Sequence, residues 1–191
     1  MRNIYTRKNL VFTEDFSLED LKQIAQKEDW VETKEVLASS GEPYQIHWQH
    51  KPLDLYLLYV VDERIGVNYL EVRAVIMSDA LEYLQNILPL ENKEDILKFA
   101  QSENETEKIQ AIKKLGYVFA FEDFNPECFK VLVKAMQESK KEIFVTTLET
   151  VPYLKWRQFE SILEELTKSD LSVKTFAGHM LKAMRDHEWN A

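Results

Sequence analysis

Pro89 separates two hydrophobic periods that do not belong to the same kind of structural layer. Before it, apolar residues recur at every second position. "YQIHWQ" sets Tyr44, Ile46 and Trp48 on one face and Gln45, His47 and Gln49 on the other, the pattern of a half-buried strand. After Glu91 the spacing is helical throughout, and no further strand is expected. A chain with such a break folds as a sheet-containing part followed by an all-helical part, so domains of residues 1–89 and 90–191 are expected.

In the first part, "LDLYLLYVV" places Leu53, Leu55, Leu57, Tyr59 and Val61 on one face. Tyr56, Leu58 and Val60 make the other face apolar as well, so this strand is expected at the centre of the sheet and covered on both sides. The second covering is expected from the helical part. "DERIG" suits a short hairpin, with "VNYLEVRAV" as the antiparallel partner, and Pro52 ends the preceding strand. Ser17 and Asp20 announce a helix start, and Leu18, Leu21, Ile24 and Ala25 form its apolar stripe. "WVETKEVLA" reads as the first strand, and "SDALEYLQNIL" as a helix capped by Ser78. The first domain is therefore α+β: helix, antiparallel sheet, helix.

The second part repeats itself. Phe129, Leu132, Val133, Met136, Ser139, Ile143, Thr147 and Val151 recur 30 residues later as Phe159, Ile162, Leu163, Leu166, Ser169, Val173, Ala177 and Leu181. A third copy stands 36 residues upstream, where Ile96, Leu97, Ala100, Glu107, Ala111 and Leu115 match Leu132, Val133, Met136, Ile143, Thr147 and Val151. Each unit is a helix, a polar turn and a second helix. Ala111, Thr147 and Ala177 hold equivalent places on the second helices, where a short side chain lets helices cross closely, and Gly178 is expected to relieve the same contact. Asn125 before Pro126 makes a good helix start, and Pro152 is expected to end a helix at about Val151.

"EKIQAIKKLG" and "SVKTFAGHML" resemble the second-helix signature of HEAT-like repeats, over roughly residues 91–187. The middle copy, "EIFVTTLETV", departs from it by carrying Thr147 in place of alanine and lacking the basic residue. The resemblance implies an α-solenoid of about three helix pairs that binds another protein. It implies a binding row on the second helices at Phe144, Glu149, Lys174 and His179, with Trp156 and Arg157 at the adjoining turn. Trp and Arg are residue types favoured as binding anchors, and the alternative is that Trp156 is largely packed and Arg157 is ordinary surface. Some HEAT-like proteins are bilin lyases and others are DNA alkylation-repair glycosylases. An enzyme or enzyme subunit of the lyase type is therefore the alternative, whereas the net charge of -3 over residues 90–191 disfavours a DNA groove.

The longer repeat spacing places extra residues in "GYVFAFEDFN", where Phe119, Phe121 and Phe124 mingle with Glu122 and Asp123. These aromatics either contact a partner or fold back onto the sheet domain, and exposure decides between the two.

Other chemistry-bearing residues point to no site. His47 and His50 fall on opposite strand faces, which disfavours a shared metal. Asp186, His187 and Glu188 spread around a helix end, and Cys128 has no nearby histidine to activate it. Glu71 and Arg73 share a face and can pair. No catalytic residue, metal or cofactor is expected.

With a net charge of -9, nucleic acid and anionic membrane are poor partners and a basic protein is a better one. No apolar run is long enough to span a bilayer, the N-terminus lacks a secretory pattern, and a single cysteine suits a reducing compartment, so a cytoplasmic location is expected.

Overall fold

The computed structural model describes residues 4–39, 41–138, 140–168 and 173–186. Five antiparallel strands run β1 (Thr6–Val11), β2 (Val31–Val36), β3 (Tyr44–His50), β4 (Leu55–Asp62) and β5 (Val67–Ala74) along the chain. They form one sheet in the order β1-β5-β4-β3-β2. The described residues also hold eight α-helices, so the class is α+β. The helices are α1 (Leu18–Lys27), α2 (Met77–Ile87), α3 (Lys93–Phe99), α4 (Glu105–Val118), α5 (Pro126–Met136), α6 (Lys141–Leu154), α7 (Glu160–Lys168) and α8 (Lys174–Asp186). No described helix is long and apolar enough to cross a membrane.

The chain divides into two compact units between Asp95 and Ile96. The break in period lies at Pro89, but the backbone stays tied to the sheet unit a little longer. Thr13 N–H donates to the Pro89 carbonyl at 3.0 Å, and Glu91 N–H donates to the Val11 carbonyl at 2.9 Å.

In the sheet unit, local chemistry sets the elements at several points. Ser17 and Asp20 form a reciprocal capping box at the start of α1. At the β4–β5 hairpin, Asp62 Oδ1 accepts the Arg64 N–H at 3.1 Å, and Gly66 takes a positive φ of 75°. One sheet face packs against α1 and α2. Its core includes Leu21, Ile46, Leu55, Leu57, Leu70, Val72 and Leu84, all at most 1 % exposed. Burying such a side chain contributes about 1.5–3 kcal/mol each. β4 is the central strand, as its double apolar pattern requires. Its second face is covered unevenly: Tyr56 is exposed, Leu58 half-buried and Val60 buried.

Two readings of this unit are corrected. "WVETKEVLA" contains the second strand, because β1 precedes it and pairs with β5 from Thr6↔Ala74 to Val11↔Tyr69. Ser78 does not cap α2. That helix starts only three residues past the end of β5, so the cap position falls on Ile76 and Ser78 lies in the first turn.

In the helical unit, Asn104 caps α4 by accepting the Thr106 and Glu107 N–H groups, and Asn125 caps α5 by accepting the Cys128 N–H. Ala111, Thr147 and Ala177 are 4 %, 0 % and 0 % exposed. The Thr147 hydroxyl is satisfied by donating to the Ile143 carbonyl at 2.7 Å. α6 packs closely on α4 and α5, and α7 packs on α8. Matched positions are not uniformly interior, since Glu107 is exposed where Ile143 is buried. Ser139 and Ser169, expected at turns, and His187 and Glu188, expected at the last helix end, lie outside the described residues.

Two helical expectations are revised. α6 continues through Pro152 to Leu154, because a proline two residues from the end of the element removes only one hydrogen bond. Lys155 closes the helix in the left-handed region at φ 54°. Gly178 does not sit at a close crossing: a Cβ there would have Thr167 Cγ2 at 4.0 Å as its nearest neighbour. The close approach in this unit lies instead at Gly116.

Candidate functional site

The aromatic run after α4 builds a cluster inside the helical unit. Phe119 and Trp156 are fully buried with ring centroids 6.1 Å apart. Phe124 meets Trp156 edge-on at 5.5 Å and Phe129 of α5 at 5.4 Å, and Phe129 meets Phe159 at 4.9 Å. The Trp156 indole N–H donates to the Glu122 carbonyl at 3.4 Å. Such rings join α4, the segment after it, α5 and the turn before α7 by apolar burial and edge-to-face contact.

Trp156 is thus an interior residue, the packed one of its two readings and not the surface anchor. Its large apolar area stabilises the unit when it is enclosed, and it has no surface left to offer a partner. Phe124 is half-buried in the same cluster, so the expected loop is largely a packed segment, with Gly116 and Val118 still inside α4.

Two of the expected residues from these turns are exposed: Phe121 at 42 % and Arg157. They are the chain neighbours of Glu122 and Trp156, which are joined by the bond from the indole N–H to the Glu122 carbonyl. Asp123 and Glu127, also exposed, add negative charge to the same stretch.

The expected row on the second helices is not a single stripe. Phe144 and Glu149 lie on α6, Lys174 and His179 on α8, and each pair is five residues apart. At 3.6 residues per turn, that spacing puts them about 140° apart around the helix. Phe144 is half-buried, whereas Glu149, Lys174 and His179 are exposed. Ion pairs stitch the helices nearby: Lys108–Glu138 at 2.9 Å, Lys140–Glu105 at 2.7 Å, and Arg185 with both Glu160 and Glu164. The neighbouring carboxylate of Glu105 raises the Lys140 pKa, so that ammonium stays charged.

A second arrangement went unread in the sequence. On the sheet face opposite α1 and α2, strand register aligns His47, Leu58 and Glu71 across three strands, and Gln49, Tyr56 and Arg73 in the next row. Arg73 pairs with Glu71, as their shared face suggested. A cleft of about 240 Å3 opens there, lined by Tyr5, Thr33, His47, Tyr56, Leu58 and Arg73 among others. Alternation alone places His47 and Arg73 on faces of their own strands. Only the strand order brings those faces together.

Among the described residues no group of three or more His, Cys, Asp or Glu side chains is arranged to hold a metal ion. Cys128 is buried with no disulfide. What fold and site define together is a class and no more: an α+β sheet unit followed by a helical unit with an exposed aromatic and charged surface. Comparison with protein-family models, curated proteins and solved structures gives no match.

Proposed function

We propose that roughly residues 91–187 form a HEAT-like array of about three helix pairs, and that the protein is a non-enzymatic cytoplasmic binding module whose partner is another, basic protein. The observation that carries this reading is the close seating of α6 on α4, with Thr147 fully buried at the place equivalent to Ala111. Short residues at matched places on successive second helices are what a stack of helix pairs requires. Phe121 and Arg157 supply the exposed anchor types, with Asp123 and Glu127 beside them to attract a basic surface.

The test compares proteins captured from native lysate by the wild-type chain and by a Phe121→Asp/Arg157→Glu variant. The reading expects a partner that the wild type holds, the variant releases, and rising salt weakens. The same partners bound equally by both chains would remove this surface from consideration.

A further inference from the structure

We propose that the cleft on the sheet face opposite α1 and α2 is a binding site for a small organic carboxylate with a flat apolar body. The cleft is lined by residues of the sheet unit, none of which belongs to the surface assigned to a protein partner. Its volume of about 240 Å3 is below the roughly 300–1,000 Å3 of sites for drug-sized ligands, so the occupant is small.

One wall is aromatic. Tyr5 and Tyr56 meet edge-to-face at 5.3 Å, and both hydroxyls are tied back. Tyr5 donates to Asp54 Oδ2 at 2.8 Å, and Tyr56 accepts from Gln49 Nε2 at 3.1 Å. Held in this way, the two rings offer apolar surface to a planar body.

Positive charge enters the rest of the cleft at Arg73. Arg73 is oriented by Glu71, which receives its Nε–H, and that fixes the plane of a guanidinium suited to carboxylate. Lys34 of β2 stands across from His47 in the sheet, and Arg7 of β1 stands across from Arg73. In a chain of net charge -9, Arg73 in the cleft and Lys34 beside it put positive charge next to His47, with Glu71 against Arg73 and Asp54 against the Tyr5 hydroxyl. His47 registers that field. Burial holds its pKa below the ordinary 6.5, Lys34 and Arg73 lower it further, and Glu71 opposes them.

The test is a titration of the full chain followed by NMR, using sodium benzoate, neutral benzamide and inorganic phosphate as probes. Benzoate is expected to shift the His47 and Tyr56 signals saturably and to raise the His47 pKa, because a bound anion favours the imidazolium. Benzamide and phosphate are expected to bind about tenfold more weakly, lacking the charge and the flat body respectively. Arg73→Gln should weaken benzoate about tenfold. That change also leaves Glu71 without its partner, so Lys34→Glu, at an exposed position, serves as the second variant with an expected loss of about threefold or more. Equal binding of benzamide or phosphate, an unmoved His47 pKa, or undiminished benzoate binding by Lys34→Glu would each overturn the proposal. None of these outcomes bears on the partner surface of the helical unit.

Discussion

A Cβ placed on Gly116 of α4 would stand 2.9 Å from Cγ2 of Thr150 on α6, closer than real Cβ atoms approach a neighbour. The Thr150 carbonyl and Tyr153 Cβ would each lie at 3.4 Å. Thr150 cannot turn its methyl aside freely, since its hydroxyl donates to the Thr146 carbonyl at 2.9 Å. The absence of a side chain at 116 is therefore what permits this helix crossing.

Gly116→Ala should destabilise the protein. Alanine gains about 1 kcal/mol of helix propensity, but overpacking a filled contact costs about 1–3 kcal/mol, and the rigid backbone and β-branched neighbours place this site toward the upper end. Thr150→Ser removes the clashing methyl and keeps the hydroxyl. In urea denaturation the double variant should be more stable than the sum of the two single changes, and a Gly116→Ala protein as stable as wild type would contradict the close crossing.

The same substitution should have the opposite sign at Gly178. With only Thr167 Cγ2 at 4.0 Å, a methyl there meets ordinary contact within the helical stretch Lys174–Asp186. Gly178→Ala is expected to stabilise by about 0.5–1 kcal/mol, read as a higher denaturation midpoint at unchanged slope.

These two glycines also show what a sequence yields and withholds. Helical period and cap chemistry are local, so the capping box of Ser17, the hairpin at Gly66 and the short residues Ala111, Thr147 and Ala177 could be read directly. Which glycine lies at a crossing depends on a neighbouring helix, and nothing near Gly178 or Gly116 in the chain reports it. β1 was missed for the same reason. Arg7, Lys8 and Asn9 carry no apolar alternation, and their strand character comes from pairing with β5 more than 60 residues away. The cleft at His47 and Arg73 likewise required the strand order.

Trp156 and Arg157, adjacent in sequence, should separate cleanly by experiment. Trp156→Ala removes the centre of the aromatic cluster and is expected to cost about 3–5 kcal/mol, with Trp156→Phe costing less. Arg157→Ala, at an exposed position, should cost no more than about 1 kcal/mol. Chemical denaturation of the three variants measures all of this, and a near-neutral Trp156→Ala would contradict the buried cluster.

The stability of the sheet unit should fall as the solution becomes mildly acidic, and His50 is the cause. Its ring stacks on Tyr83 at 4.9 Å and 4°, is 8 % exposed, and has Nδ1 buried without a hydrogen-bond partner. Tyr83 holds its hydroxyl between Trp30 Nε1 and Glu28 Oε2, and its pKa is pushed up to about 12, chiefly by burial, so it stays neutral. Burial lowers the His50 pKa from the ordinary 6.5, against the opposing pull of Glu28 and Asp29. The unfolded chain therefore binds a proton at a higher pH than the folded one. Stability is complete above 6.5, is lost as pH falls below that value, and levels off beneath the folded-state pKa. His47, shifted in the same direction, adds to the slope, whereas Asp20, lowered by its bonds to Ser17, acts only in more acid solution. His50→Phe keeps an aromatic ring against Tyr83 but cannot titrate. Urea midpoints between about pH 7.5 and 5 should fall less steeply for that variant than for wild type, and adding His47→Gln should flatten them further. An unchanged slope in the double variant would assign the acid sensitivity to other groups.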